Sequence, residues 1–415
     1  MRSQLVPEAK FTLADPNLYL DPHPVLREMR ASCPVTFDEK LDSWVVTSYD
    51  DVVKCLRDAR FHVVEEYKRV DALPPAQREE LAPLRQIFTE WGGRRDRITH
   101  QAFLRVMKKH FTPRRMTDQV PVIQHIMSTL LLAARAQGGP MDVVNDIAHP
   151  LSMAVVCHLL GVPAASTDIS MLLRESNAIA GLLEMGELDQ LRRSQQGMAE
   201  VAAYLAPHVV AARRGGGSGL LKVMAGSDQD QMQYTDDQIV AQGIMFVVVG
   251  YHTTANLLAN GLQLLLDHPD QKRLLHGQHF GNLSNAFDEM MRHHGPVSTI
   301  RRVALEDVTV RNQQIRADDT VVLALIAANR DPSVFDCPDE FRVDRPNASK
   351  HLGFTVGPYS CLGQALARLE GQVFFSTLLS RFPRMAPADP KPDWMPFRPL
   401  GRELRTLRVW PDGRR

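Results

Sequence analysis

From Thr235 to Asp267 the sequence reads TDDQIVAQGIMFVVVGYHTTANLLANGLQLLLD, and no other stretch restricts the fold as much. Thr235 with Gln238 forms a capping box, and Pro269 closes the far end. At ~1.5 Å per residue such a helix runs about 50 Å, enough to cross a large domain. Its middle is almost wholly apolar, so it is buried on all sides. Its longest apolar run, Ile239–Gly250, contains Gln242 and is too short to span a bilayer. Inside that run's far end sit Gly250, Tyr251, His252, Thr253 and Thr254. Buried polar groups cost stability unless partnered, and a mid-helix Gly costs roughly 1 kcal/mol against Ala. Their presence asks for a reason beyond folding.

A second stretch, His351–Gly371, reads HLGFTVGPYSCLGQALARLEG. Gly353, Gly357 and Pro358 supply tight turns, and Ala365, Leu366 and Leu369 repeat at helical spacing. Cys361 therefore stands at a helix N-terminus, where free N–H groups and the dipole favour an anion. That setting is expected to lower the thiol pKa and stabilise a metal-binding thiolate. A catalytic nucleophile and a buried structural thiol remain open on this reading alone.

The neighbouring residues narrow the choice. Phe354, Gly357, Cys361-Leu362-Gly363 and Ala367-Arg368-Leu369-Glu370 together resemble the haem-binding loop of the bacterial cytochromes P450. Gly250–Thr254, Glu289–Arg292 and Ala328-Asn329-Arg330-Asp331-Pro332 follow that family's order and distances, so the resemblance covers nearly the whole chain. It implies a mainly α fold with small β-sheets, one cytochrome P450 domain over residues 1–415. Strands are expected near 35–47, 297–326 and 385–410. It implies haem b with Cys361 as the axial iron ligand, whose electron push favours O–O cleavage. His100, Arg302, Phe354, Tyr359 and Gly363 fall at haem-contacting positions, with Arg301 an adjacent competitor to Arg302. Gly250 and Thr253 fall in the oxygen groove, where the Gly makes room. Glu289, Arg292 and Arg345 fall where the family clamps the haem loop.

The sequence also departs from the family. The acid expected before the groove Thr is His252. Leu104 stands where an Arg is expected, with Arg105 beside it. Thr355 replaces a Gly, Tyr359 a His or Arg, and Ser360 an apolar residue. Imidazole can shuttle protons, so His252 and Thr253 are expected to manage proton delivery.

Elsewhere the chain reads as helices at 22–30, 50–58 and 97–111, and strands at 35–37 and 44–47. Residues 61–98 lack a clean period and read as a long loop that the resemblance places over the substrate. Residues 171–188 are apolar enough for a pocket lid. The glycine runs at 138–139 and 215–217 have neither the strand nor the Lys-Ser/Thr of a nucleotide site.

The chain holds 48 basic and 48 acidic residues, so nothing calls for nucleic acid or an anionic membrane. Five cysteines without a C-x-x-C pair argue against disulfides or zinc and fit a cytoplasmic protein. The N-terminus shows no signal peptide, and no reductase follows the haem loop. A separate ferredoxin or flavodoxin is the expected electron donor, steered by Lys108, Lys109, Arg114 and Arg115. Apolar walls at Val247–Val249, Ile300 and Phe397 point to a partly hydrophobic small-molecule substrate, with O2 as co-substrate. The leading reading is a haem-thiolate monooxygenase. An atypical haem-thiolate oxidase (aryl coupling, nitration or peroxide-driven oxidation) and a non-catalytic haem ligand-binding protein are the alternatives.

Overall fold

The computed structural model describes residues 12–13, 21–64, 67–92, 97–164, 167–181, 187–226, 233–277, 280–395 and 401–413. The long helix runs from Asp236 to Asp267, with both halves of the capping box formed between Thr235 and Gln238. It is the axis of the packing. Helices His149–Leu160, Leu188–Arg213, Leu283–His294 and Gln364–Arg381 all lie against it. One apolar cluster joins these elements, from Phe88 and Phe103 through Leu258 and Leu262 to Phe374 and Phe375.

The His149–Leu160 helix continues from a π-helical turn, Val143–Ala148, whose first N–H groups are capped by Asp142. Among the described residues, Val143–Leu160 is the one helix apolar and long enough to cross a membrane; 67% of it is buried inside the protein. The apolar run at 239–250 is mostly core, with Met245, Phe246, Val249 and Gly250 turned to a cavity.

Beside the helices lies a five-stranded sheet. Its strands run, edge to edge, Val35–Asp38, Ser43–Val46, Thr320–Leu323, Ile300–Ala304 and Phe61–Val63. Ser43–Val46 pairs parallel with Thr320–Leu323, and the other neighbours are antiparallel. In this register Val63 stands opposite Arg302. Smaller ladders form from 308–310 with 313–315, from 393–394 with 404–406, and from 141–142 and 386–387 with 408–410.

Residues 61–98 are not the long loop that the sequence suggests. They hold strand Phe61–Val63, helices Lys68–Asp71, Pro75–Glu80 and Ala82–Thr89, and the start of helix Arg97–Met107. The prolines mislead. Pro75 and Pro83 occupy the first turns of their helices, where the missing N–H costs nothing. The lid segment also resolves differently: helix Ile169–Ala180 covers its first part, and 182–186 lie outside the described residues.

Candidate active site

The Cys361 loop is built from turns that pin one another. Cys361 N–H donates to Phe354 O at 2.9 Å, closing the loop on itself. Gly357 has φ +85°, and a Cβ there would meet Leu56 O at 2.6 Å, so only glycine fits. Gly363 precedes helix Gln364–Arg381, and a Cβ on it would stand 4.0 Å from Cys361 Sγ.

The thiol itself corrects one expectation. The N–H groups of Gly363 and Gln364 do favour the thiolate, but burial outweighs them and pushes the Cys361 pKa up rather than down. Its exposed surface lines a cavity. The thiolate therefore depends on a bound metal ion to supply the charge that the helix end alone does not.

The loop is fastened to the helices by buried charge. Glu289 accepts from Arg292 at 2.7 and 2.8 Å and from Arg345 at 3.0 and 3.1 Å. Both guanidiniums also donate to carbonyls, Arg292 to Asn329, Pro338 and Glu340, and Arg345 to Asp336, Cys337 and Glu340. All three side chains are at most 2% exposed. A second tie escaped the sequence reading. Asp288 binds His351 at 3.2 Å and Arg368, and the Arg368 guanidinium lies over the Phe354 ring at 5.3 Å. Glu289 was readable as part of Glu-x-x-Arg; Asp288, one residue earlier, carried no such mark.

A cavity of about 370 Å³ lies between this loop and the long helix. Cys361, Phe354, Gly363 and Leu366 form its floor, and Val249, Gly250, Thr253, Thr254 and Leu257 its opposite wall. Met245, Phe246, Leu159 and Ile300 add apolar surface. Gly250 does line the cavity, but its missing side chain serves the packing: a Cβ there would press to 3.0 Å on Val156 of the adjacent helix. Thr253 Oγ1 donates to Val249 O at 3.3 Å, one turn back. Val247 is buried in the core instead of the cavity, and Phe397 lies outside the described residues.

Around Tyr359, which lines the cavity, two histidine rings and a guanidinium gather. His100 stacks on Tyr359 with centroids 4.6 Å apart, and Arg302 lies over the same ring at 5.5 Å. His62, which the sequence reading passed over, stands edge-on to Tyr359 at 5.6 Å. Its strand pairs with that of Arg302, with His62 opposite Val303, a long-range pairing that the sequence does not signal. The His100 ring nitrogens lie 3.0 and 3.3 Å from the carbonyls of Gly92 and Pro358. Leu104 lines the cavity while Arg105 is exposed, so the cation missing from position 104 is not replaced by its neighbour.

One acid in the cavity lining behaves unlike a surface carboxylate. Glu370, one of the lining residues, is fully buried, and desolvation pushes its pKa up to about 8 despite a 3.0 Å hydrogen bond from Ser152. It is thus mostly neutral at pH 7. His252, placed by the sequence in the oxygen groove, is not among the lining residues. Its ring turns to the C-terminal segment, where Nε2 meets Glu403 at 3.1 Å.

The cavity suits a flat apolar macrocycle with an anionic edge. A sulfur sits on its floor, apolar walls line it, and His100 and Tyr359 stand at one end with Arg302 over the Tyr359 ring. Comparison with known proteins agrees. The Cytochrome P450 family matches residues 213–401. A putative cytochrome P450 140 of Mycobacterium tuberculosis is 31% identical, covering 96% of this chain and 89% of its own. The chain belongs to the cytochrome P450 family. The 6-deoxyerythronolide B hydroxylase of Saccharopolyspora erythraea is also 31% identical, over 90% of this chain and 92% of its own. The crystal structure of CalO2 superposes with a TM-score of 0.87 at 30% identity, covering 97% of this chain and 99% of that one. The protein is thus a cytochrome P450 monooxygenase that binds haem b and uses O2, a small-molecule substrate and a redox partner. Bound there, haem would supply dioxygen activation; Cys361 is placed to offer a sulfur, and the surrounding residues offer the apolar walls and the polar end.

Proposed function

We propose that this P450 oxidises a partly hydrophobic organic molecule of specialised metabolism, taking electrons from a ferredoxin or flavodoxin. In this reading Cys361 ligates the iron, and His100, Arg302 and Tyr359 hold the haem carboxylates. Gly250 and Thr253 border the oxygen side. The observation that carries it is the cavity floored by Cys361 and walled by Val249, Leu257, Phe246 and Ile300. Such a wall binds apolar surface by excluding water and offers few polar groups to a sugar or a charged substrate. The likeness to a 6-deoxyerythronolide B hydroxylase supports the same class of substrate.

The ligand assignment is tested by the reduced carbon-monoxide complex. Wild type is expected to show the strongly red-shifted band of a thiolate ligand, and Cys361→His to lose it. A band retained in the variant sinks the assignment. A compound library screened for shifts of the haem spectrum then identifies the substrate class.

The donor site follows from charge. Lys108, Lys109, Arg114 and Arg115 are all exposed where helix Arg97–Met107 gives way to helix Pro113–Thr117. The latter packs on Gln364–Arg381, the helix behind Cys361. Lys108→Glu with Lys109→Glu is expected to slow reduction by an acidic ferredoxin and flatten its salt dependence. Unchanged rates at low ionic strength would move the docking site elsewhere.

A further inference from the structure

Gln242 is the one polar side chain in the apolar run at 239–250 of the long helix, and it is only 2% exposed. Its amide spans the turn at 90–92, just past helix Ala82–Thr89. Oε1 accepts the Gly92 N–H at 2.9 Å, and Nε2 donates to the Glu90 carbonyl. An amide oxygen accepts and an amide nitrogen donates, so these two contacts fix which way the side chain faces. Turning it over would set donor against donor and acceptor against acceptor. One turn earlier, Gln238 Nε2 donates to the Glu90 carboxylate at 3.1 Å. The long helix therefore grips this turn at two successive levels.

Packing holds the turn from its other sides. Gly92 is buried, and a Cβ on it would come to 2.6 Å from the Phe103 ring and 3.0 Å from Gln242 Oε1. Trp91 is buried and packs on Phe88 with centroids 4.5 Å apart. The Gly92 carbonyl of this fixed turn lies 3.0 Å from His100 Nδ1. A carbonyl only accepts, so the ring donates to it, and the imidazole takes its tilt from the turn. His100 lines the cavity, stacks on Tyr359, and turns its other nitrogen toward the Pro358 carbonyl of the Cys361 loop. The contacts thus run without a break from Gln242 through Gly92 and His100 to Tyr359.

We propose that Gln242 is a positioning residue for the cofactor, holding His100 in place at the haem carboxylate end through the Gly92 carbonyl. The inference rests on the placing of His100 given under Proposed function. Gln242 is not among the residues that line the cavity, so it acts through His100 and not by touching the haem. A histidine with one ring nitrogen anchored on a backbone carbonyl keeps the other nitrogen aimed, the same device that orients histidines around metal ions. Leu104 brings no charge to the cavity and Arg105 is exposed, so fewer groups hold that edge and the aim of each counts for more. A buried amide needs two partners in any case. What separates positioning from mere satisfaction is whether the effect of Gln242 passes through His100.

The test is a double-mutant cycle on the haem-loaded protein, read as the rate of ferric haem transfer to excess apo-globin well below the unfolding midpoint. Gln242→Met keeps the volume and removes both hydrogen bonds. It is expected to speed haem release by about fivefold, and His100→Ala by more. In the double variant the effects are not expected to multiply, and release should stay within about twofold of His100→Ala alone. Resonance Raman gives a second readout. The carboxylate bending band of the bound haem is expected to move in the same direction in Gln242→Met and in His100→Ala. If Gln242→Met loads too little haem, Gln242→Glu, which keeps the acceptor for the Gly92 N–H, runs the same cycle under the same rule. Effects that multiply overturn the proposal, because Gln242 is then a general structural tie. So does an unchanged release rate in Gln242→Met, or a Raman band that moves in His100→Ala alone. If His100→Ala changes neither readout, the placing of His100 at the haem edge fails; if His100→Ala changes both and Gln242→Met neither, only this inference fails.

Discussion

The two faces of the cavity are held in opposite ways. Under the Cys361 loop, Glu289, Arg292 and Arg345 are fully buried, and each guanidinium divides its donors between one carboxylate and several carbonyls. On the long-helix side, His252, Asn256 and Asn260 form a ladder at four-residue spacing. They reach Glu403, the Arg402 carbonyl and the His294 carbonyl at 3.0–3.3 Å, with two of the contacts on the same Glu403 oxygen. The floor is over-determined and sets where the sulfur stands. The long-helix side is held by neutral amides and one imidazole, without a guanidinium among them. Substitutions under the floor should therefore cost folding and haem retention, and substitutions in the ladder should cost less of both.

The strongest way to break this contrast is Arg345→Ala. It leaves Glu289 with one cation in place of two and removes a donor from three carbonyls, of which Glu340 keeps Arg292 and Cys337 keeps the Glu340 N–H. Removing one partner of a buried ion network costs about 3–5 kcal/mol. Denaturant unfolding of the haem-loaded protein is expected to show that loss, together with faster haem transfer to an apo-globin. A cost under about 1 kcal/mol would place the floor in the same class as an exposed ion pair.

Glu370 sharpens the comparison through pH. Its folded pKa of about 8 lies above the ordinary 4.5, so the folded state holds a proton that the unfolded chain has released. Between those values the folded state binds more protons, and stability falls as pH rises. It is fully present below about 4.5 and lost through pH 8, with a slope approaching about 1.4 kcal/mol per pH unit. Glu370→Gln keeps the shape and removes the titration. The decline in stability from pH 5 to 8 is expected to flatten in that variant. An equally steep decline would mean that Glu370 is ionised in the folded protein and that another group sets the slope.

What the sequence made legible follows the range of the forces involved. The long helix was readable to its caps because a capping box, a period of 3.6 and a closing proline are all local. The Cys361 loop was readable because its turns and helix start lie within twenty residues. The fold as a whole came through the resemblance, not through periodicity. What failed depended on distant groups. The rise in the Cys361 pKa comes from burial by other elements, which the loop's own N–H groups do not reveal. The direction of the His252 ring is set by Glu403, far along the chain, and a helical wheel is blind to it. The helices within 61–98 hid behind prolines that mark helix starts as readily as loops. His62 joined the polar end of the cavity through a strand pairing that no local pattern displays.

The smallest expected effect concerns Thr355, where the loop departs from its family. Its φ is +55°, a left-handed conformation that disfavours β-branched residues. That strain is about 1–2 kcal/mol for a residue with a Cβ. The side chain offsets part of it, since Thr355 Oγ1 donates to Tyr359 O at 3.1 Å and ties together the two ends of the turn before Cys361. A hydrogen bond of this kind contributes about 0.5–1.5 kcal/mol net. Thr355→Gly would relieve the strain, lose that bond and add about 0.4–1 kcal/mol of unfolded-chain entropy to overcome. The terms nearly cancel, and a change below about 1 kcal/mol is expected. Thr355→Val keeps the strain and loses the bond, so it should cost about 1 kcal/mol or more in the same unfolding experiment. The order of the two variants is the test. If valine is tolerated and glycine is not, the hydroxyl contributes nothing and the turn is held by its backbone alone. In that case the floor would be less tightly determined at the sulfur than its buried charges imply.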